Sequence, residues 1–378
     1  MKREYKKLFL FVALWQVVIL LFFSLGLRFL PIQDNFLGGS IHFKEAPLLW
    51  SHANYDGEHY IEVAQFGYGP YTYFFFPLYP VLLRFVSHYL VFLHFPLVWS
   101  GIVISNSAFF IAVVVLYKLL RLDYSENVSF RTVLLLLLFP TSFYFTMVYT
   151  ESLFFALCVS SLYFARKRNW MGAGILGIFA SMTRLVGVVL IASIFFEWLS
   201  SYLDKKSTKI ALLPILCVPL GIAFYMFYLN KVSGDPLAFF HNIAVYGQQR
   251  STSLVILPQV YYRYIFKILP HLNGYVPIIL TTYFELISGV IFFVLSAVSF
   301  FKVRPSYSVF AFFCFIIPTL SGSFSSLPRY VLILFPLFLV LSLSLEKLPR
   351  TYHYVYYALG AVFLLVFTSM FAVGYWVS

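Results

Sequence analysis

About eleven long apolar stretches recur along the 378-residue chain, each bounded by charged or turn-forming residues. A helix needs about 20 apolar residues to cross the hydrocarbon core of a bilayer, so such stretches predict membrane-spanning helices. They lie near residues 8–29, 97–118, 132–149, 151–165, 170–183, 185–200, 210–229, 277–301, 306–321, 330–345 and 354–376. The pattern therefore predicts an all-α polytopic membrane protein with about 11 transmembrane helices, forming a single domain over residues 1–378.

The composition agrees with this prediction. Hydrophobic residues make up 61% of the chain and charged residues only 11%, whereas about 25% of an ordinary soluble domain is charged. Aromatic residues reach 21%, and such side chains concentrate in the membrane and at its interfaces. A soluble globular fold is therefore excluded, and membrane lipids are expected to surround the protein.

Basic residues fall between the apolar stretches rather than on one face or arm, although the net charge is +12. A nucleic-acid partner is not expected, because it requires clustered basic residues. With the basic N-terminus on the inner side, most Lys and Arg residues occupy inner loops, as the positive-inside rule requires. We interpret the first stretch as a transmembrane helix, since it is longer than a signal-peptide core and has no small-residue cleavage site.

Two long segments, residues 30–96 and 230–276, lie on the outer side in this topology. The apolar run 74–95 is not counted as a span, because a crossing here would move three basic inner loops to the outside. Its interior also contains Pro77, Pro80, Arg84 and His88. It is predicted to be a broken helix lying in the outer interface. The two outer segments are where we expect an active site.

The first outer segment holds a cluster of titratable side chains beside aromatic residues. Asp56, Glu58, His59 and Glu62 fall within seven residues. A carboxylate held against apolar rings gains proton affinity, which suits a general base acting on a hydroxyl. The alternative is a solvated acidic loop in which Asp56 is the N-cap of a helix that begins near Gly57. The residues alone leave both interpretations open.

The sequence around this cluster resembles the PIG-V family, mannosyltransferases that add the second mannose of GPI anchors, and its prokaryotic relatives. The first block is Tyr55-Asp56-Gly57-Glu58-His59-Tyr60, followed by Phe75-Phe76-Pro77-Leu78-Tyr79-Pro80. Further blocks follow in the family order at residues 149–154, 183–187, 233–239 and 328–332. One departure is visible, because Ala53-Asn54-Tyr55 stands where an Arg-Trp-Asp type of lead-in is expected.

The resemblance implies a GT-C architecture, with the catalytic acid in the first outer loop and a sugar donor carried on polyprenyl phosphate. Asp56 is then expected to accept the proton of an acceptor hydroxyl, so that the transfer inverts the configuration at the anomeric carbon. Hexose transfer, most simply of mannose, to an extracytoplasmic glycan or glycolipid is the expected reaction. The chain has no nucleotide-binding glycine motif, which agrees with a lipid-linked donor.

Several other charged residues fall at predicted outer helix ends. Arg184 and Arg329 are the candidates for binding the donor phosphate, with snorkelling to lipid headgroups as the alternative. Glu151 either pairs with one of them or interacts favourably with a helix dipole. Asp235 either forms a turn or shapes the acceptor side. Glu285, inside a predicted span, has no assigned role.

Asp56, Glu58 and His59 also offer oxygen and nitrogen ligands to a metal. Spacing alone does not build a coordination shell, and a polyprenyl-phosphate donor lacks the pyrophosphate that usually recruits a divalent ion. We therefore expect no cofactor and no obligatory metal. Glu58 and His59 are expected to support Asp56.

Two other function classes fit parts of the pattern. A ligase or polymerase that moves whole lipid-linked oligosaccharides should carry arginine and histidine in a late outer loop; residues 230–276 contain His241, Arg250, Arg263 and His271. A lipid or solute transporter should carry charges at mid-membrane, and only Glu285 fits that pattern. Short basic inner loops favour a prokaryotic plasma membrane with an outward-facing site; in a eukaryote the site would face the ER lumen. The acceptor and any partner subunit are not indicated.

Overall fold

A computed structural model describes residues 2–33, 40–242, 251, 253–272 and 274–377. All regular secondary structure in these ranges is helical. In chain order the α-helices are α1 Lys2–Phe29, α2 Ser40–Glu45, α3 Pro47–Trp50, α4 Asp56–Phe66, α5 Leu78–Ser87, α6 Pro96–Leu120, α7 Glu126–Leu137, α8 Glu151–Arg166, α9 Trp170–Ser181, α10 Leu190–Leu203, α11 Leu213–Leu216, α12 Leu220–Ser233, α13 Ala238–His241, α14 Leu257–Arg263, α15 Val276–Lys302, α16 Pro305–Thr319, α17 Leu327–Tyr330, α18 Phe335–Leu345 and α19 Arg350–Ala372. The expectation of an all-α protein is confirmed.

Within the described residues, six helices are long and apolar enough to cross a membrane, and a bent pair raises the number to seven. The bent pair is Leu327–Ile333 and Phe335–Leu345, which meet at 80°. Helices α9 and α16 are apolar but shorter. The protein is therefore a multi-pass membrane protein, while the count of about eleven crossings stays a prediction.

The run 132–149 differs from the single crossing that its apolar composition predicts. Helix α7 ends at Leu137, and a 3₁₀ turn follows at Ser142–Thr146. Pro140 lies between them, and proline removes a backbone donor and clashes with the preceding helical turn. The run 74–95 is likewise not one helix, since only α5 forms within it. The broken-helix prediction for 74–95 is thus confirmed, and its interfacial position stays a prediction.

The described chain falls into two compact units. The first comprises Met1–Gly67, Leu78–Val159 and Leu341–Val377. Helices α1 and α19 approach closely in it at Gly26. A Cβ at this position would collide with the backbone of Ser369, so the close approach needs glycine. The Trp15 indole donates to the Leu137 carbonyl at 2.8 Å, which joins α1 to the end of α7. This unit carries Asp56.

The second unit comprises Tyr68–Pro77 and Ser160–Val340. A buried ionic cluster joins α8, α10 and α16 in it. The Glu197 carboxylate accepts hydrogen bonds from Arg304 Nε and Nη2, both at 3.1 Å, and from the Ser306 hydroxyl. Arg166 Nε lies 3.6 Å from the same carboxylate. Two arginines of predicted inner loops therefore share one buried acid.

Candidate active site

Asp56 is placed by an unusual backbone conformation just before α4. Tyr55 has φ 59° and ψ −116°, a backbone conformation that residues other than glycine rarely adopt. Tyr55 occupies the N-cap position without a side-chain capping bond, and Asp56 begins the helix. The interpretation of Asp56 as the N-cap is therefore wrong by one residue. The half-buried Asp56 lies in the first turn, where the helix dipole stabilises a negative charge.

The Tyr149 side chain ties the start of α4 to the block at residues 149–154. Its hydroxyl donates to the Asn54 carbonyl at 2.7 Å and accepts from the Asp56 amide at 3.2 Å. The hydroxyls of Tyr60 and Thr150 lie 3.3 Å apart. Two blocks that are 90 residues apart in sequence are thus held together by hydrogen bonds beside Asp56.

Glu151 begins α8 within this arrangement and is 1% exposed. Burial raises the pKa of the Tyr79 hydroxyl, and the nearby Tyr60 phenol and Glu151 carboxylate raise it further. Tyr79 lies 2.9 Å from the Ser105 hydroxyl, which in turn lies 3.3 Å from the Tyr149 carbonyl. The structure therefore brings Glu151 close to the tyrosines that surround the start of α4.

The last turn of α19 and the residues after it also hold the residues that precede Asp56. Asn54 Nδ2 donates to the Phe371 carbonyl at 2.8 Å, and the Tyr55 hydroxyl donates to the Gly374 carbonyl. The Tyr55 ring meets Trp376 edge-on, with ring centroids 5.0 Å apart. Sequence reasoning missed these contacts; the only signal was the departure from the family pattern at residues 53–55.

Glu58 and His59, in the first turn of α4, have different surroundings. Glu58 Oε1 is buried and has no hydrogen-bond partner within the described part of the chain. Burial raises the pKa of Glu58 to about 8, with a further contribution from Glu62. His59 Nδ1 lies 3.4 Å from a Glu62 oxygen. Glu58 therefore favours its neutral form at neutral pH.

Arg184 and Arg329 meet at one aromatic ring in the second unit. The guanidinium carbon of Arg184 lies 4.9 Å from the centroid of the Tyr330 ring, and that of Arg329 lies 5.2 Å from it. Arg329, in α17, is only 6% exposed. Two residues predicted on separate turns are thus brought together. Guanidinium groups offer several N–H donors to a phosphate, and a phosphate-binding role for these two residues stays a prediction.

Asp235 lies on an exposed turn in the same unit. Its Oδ1 accepts from the Leu237 amide at 2.9 Å, and its Oδ2 lies 2.7 Å from His241 Nδ1. The hydrogen bond from His241, followed by the one from Leu237, lowers the pKa of Asp235. The turn-forming interpretation is confirmed, and a role on the acceptor side stays a prediction.

Two of the arginine and histidine residues expected for an oligosaccharide ligase contact backbone carbonyls. Arg263 Nη1 donates to the Gly322 carbonyl at 2.9 Å, and the exposed His271 ring contacts the Lys267 carbonyl at 2.9 Å. Arg250 lies outside the described residues. Among those residues, no three His, Cys, Asp or Glu side chains gather as metal ligands.

One comparison with known proteins shows the family of this chain, and another shows its fold. The family described as Mannosyltransferase (PIG-V) matches residues 6–232, a range that includes Asp56, Glu151 and Arg184. The crystal structure of ArnT from Cupriavidus metallidurans bound to undecaprenyl phosphate has a TM-score of 0.53 and 16% identity; the match covers 96% of this chain and 71% of that one. At that identity the likeness shows a shared fold. No curated protein matches the chain.

Proposed function

Because this chain belongs to the PIG-V mannosyltransferase family, we propose that it transfers mannose from a polyprenyl-phosphate donor to an extracytoplasmic glycan or glycolipid. The multi-pass membrane fold shared with ArnT supports this proposal, since ArnT was crystallised with undecaprenyl phosphate. A donor of this kind reaches the site from within the bilayer. The site would then face the outside of a prokaryotic plasma membrane.

In the proposed reaction Asp56 is the general base. Its carboxylate takes the proton of the acceptor hydroxyl as the hydroxyl oxygen forms a bond to the anomeric carbon. The bond from that carbon to the phosphate oxygen breaks on the opposite face, so the configuration inverts. The polyprenyl phosphate leaves as an anion and Asp56 ends protonated. General-base help of this kind is worth about 10² to 10⁴ in rate.

Arg184 and Arg329 are proposed to bind the phosphate of the donor and to stabilise its charge as it departs. The placement of both guanidinium groups at the Tyr330 ring carries this proposal. A snorkelling arginine would extend into the headgroup region, whereas Arg329 is 6% exposed. Fixed cations in a water-poor site stabilise a developing anion more strongly than they do in water.

The remaining predicted residues have supporting roles in this proposal. Glu58, His59 and Glu151 would shape the surroundings of Asp56, and Asp235 would act on the acceptor side. No obligatory metal is part of this proposal, because the two arginines supply the positive charge that the leaving phosphate needs. Activity that is lost on chelation and restored by manganese would contradict this last point.

The direct test supplies purified protein in nanodiscs with radiolabelled polyprenyl-phosphate mannose and membrane extract. We expect one labelled mannose to appear on a glycan or glycolipid, and no transfer from a nucleotide-linked mannose. Transfer of a whole oligosaccharide would instead identify a ligase or polymerase. Movement of the intact donor across the bilayer without bond cleavage would identify a transporter.

A further inference from the structure

Glu285 lies in α15 at a buried joint with the segment that follows α14. It is 7% exposed, and its Oε2 accepts a hydrogen bond from the Tyr264 hydroxyl at 2.7 Å. The same hydroxyl accepts from the Phe324 amide at 3.1 Å. A carboxylate within an apolar helix is costly unless it serves a defined partner. Here its partner is a tyrosine that also bonds the backbone of a distant turn.

Close packing fixes the geometry of this joint. The Phe324 ring centroid lies 4.9 Å from those of both Tyr261 and Tyr264. A Cβ on Gly289 would come within 3.2 Å of the Phe324 ring, so α15 approaches closely because it has glycine there. The Tyr261 hydroxyl donates to the Gly289 carbonyl at 2.8 Å. A π-helical turn begins at Tyr264, a feature that is frequent at functional sites.

Hydrogen bonds continue from the joint to Arg329. Arg263 Nη1 holds the Gly322 carbonyl at 2.9 Å on one side of the turn. On the other side, the Leu327 amide donates to the Phe324 carbonyl at 2.8 Å, which starts α17. Ser326 has φ 65°, and its backbone carbonyl accepts a hydrogen bond from the Arg329 amide at 3.1 Å. The position of the Phe324 backbone therefore sets the position of the helix that carries Arg329.

We propose that Glu285 is a positioning residue that acts through Tyr264 to hold the turn 322–326, and with it Arg329, in the conformation that binds the donor phosphate. This inference rests on the proposed function of Arg329. In this role residue 285 has to accept the hydrogen bond of the Tyr264 hydroxyl, and its negative charge is not required. Burial raises the pKa of Tyr264, and the Glu285 carboxylate raises it further, so the hydroxyl keeps the proton that it donates.

The test measures equilibrium binding of undecaprenyl phosphate and the KM and kcat for polyprenyl-phosphate mannose in matched variants. Tyr264→Phe and Glu285→Ala should each weaken binding and raise KM about tenfold, and kcat should fall too, because Arg329 is proposed to stabilise the departing phosphate. Glu285→Gln should bind like the parent, because its amide oxygen still accepts from Tyr264. Ser296→Ala, which removes a buried hydroxyl elsewhere in α15, is the control for general damage to the helix.

Arg329→Gln separates the inference from its premise. Parental binding by Arg329→Gln would refute the phosphate-binding role, and the inference would fall with it. Weak binding by Arg329→Gln together with parental binding by Tyr264→Phe and Glu285→Ala would overturn only the inference. A Glu285→Gln variant as defective as Glu285→Ala would also overturn it, because the charge would then be what matters. If Glu285→Ala does not fold, Tyr264→Phe, which keeps the ring, decides the result.

Discussion

Asn54 and Tyr55 are held by the C-terminal end of α19 and the residues after it, and we predict that removing one hydroxyl, in Tyr55→Phe, slows transfer. The backbone of Tyr55, at φ 59°, costs about 1–3 kcal/mol relative to a relaxed conformation. Two hydrogen bonds offset this cost, one from Asn54 Nδ2 to the Phe371 carbonyl and one from the Tyr55 hydroxyl to the Gly374 carbonyl. Each contributes about 0.5–1.5 kcal/mol net, so the strain and the bonds are of similar size. Losing one bond therefore shifts the balance toward a relaxed loop, with Asp56 displaced.

A change of about 1 kcal/mol corresponds to roughly a fivefold change in rate, since 1.36 kcal/mol is tenfold. Tyr55→Phe should therefore lower kcat about fivefold. Asn54→Ala should lower it by a similar factor, because it removes one hydrogen bond of about 0.5–1.5 kcal/mol while the Phe371 carbonyl keeps the Gly374 amide as a donor. The KM for the donor should stay near the parental value, because the arginines proposed to bind it are held by other contacts.

The assay follows mannose transfer from polyprenyl-phosphate mannose at saturating acceptor, with the melting temperature recorded for each variant. Tyr354→Phe, at an exposed tyrosine of α19, is the matched control and should leave kcat unchanged. A Tyr55→Phe variant with a lower melting temperature but parental kcat would refute the reasoning. The contacts would then stabilise the fold without placing Asp56.

Two further predictions concern stability. Because burial raises the pKa of Glu58 from 4.5 to about 8, the folded protein holds this proton more tightly than the unfolded chain, and its stability falls as pH rises between those values. Glu58→Gln should therefore show a smaller drop in melting temperature from pH 6 to pH 9 than the parent; an equal drop would contradict this cause. Glu197→Ala removes the carboxylate shared by Arg304 and Arg166 and should lower the free energy of unfolding by about 3 kcal/mol. Chemical denaturation in detergent measures it, and a loss below about 1 kcal/mol would mean that the cluster is not an ionic core.

Local sequence patterns predicted much of the helical structure. The apolar runs at 97–118 and 277–301 correspond closely to α6 and α15. The predicted helix over 132–149 differs from the structure because of a single residue, Pro140. A proline keeps the run apolar but removes a backbone amide donor, so the helix does not continue through it. The start of α4 was missed by one residue, because the conformation of Tyr55 depends on partners more than 300 residues away.

In the candidate site, too, features formed by neighbouring residues were predicted and contacts between distant residues were not. The acidic residues of α4 are neighbours in sequence, so the cluster around Asp56 was visible at once. The meeting of Arg184 and Arg329 at Tyr330 joins residues 145 positions apart, which no local pattern encodes. The partner of Glu285 was equally hidden, because Tyr264 lies on a different helical segment.

The most direct measurement of the central claim is the turnover of Asp56→Asn with polyprenyl-phosphate mannose. The variant keeps the size of the side chain but cannot accept the acceptor proton. We expect turnover to fall by about 10² to 10⁴ while undecaprenyl phosphate binding and the melting temperature remain parental. Asp204→Asn, at an exposed aspartate, is the control and should be fully active. Near-parental turnover by Asp56→Asn would contradict the proposed mechanism.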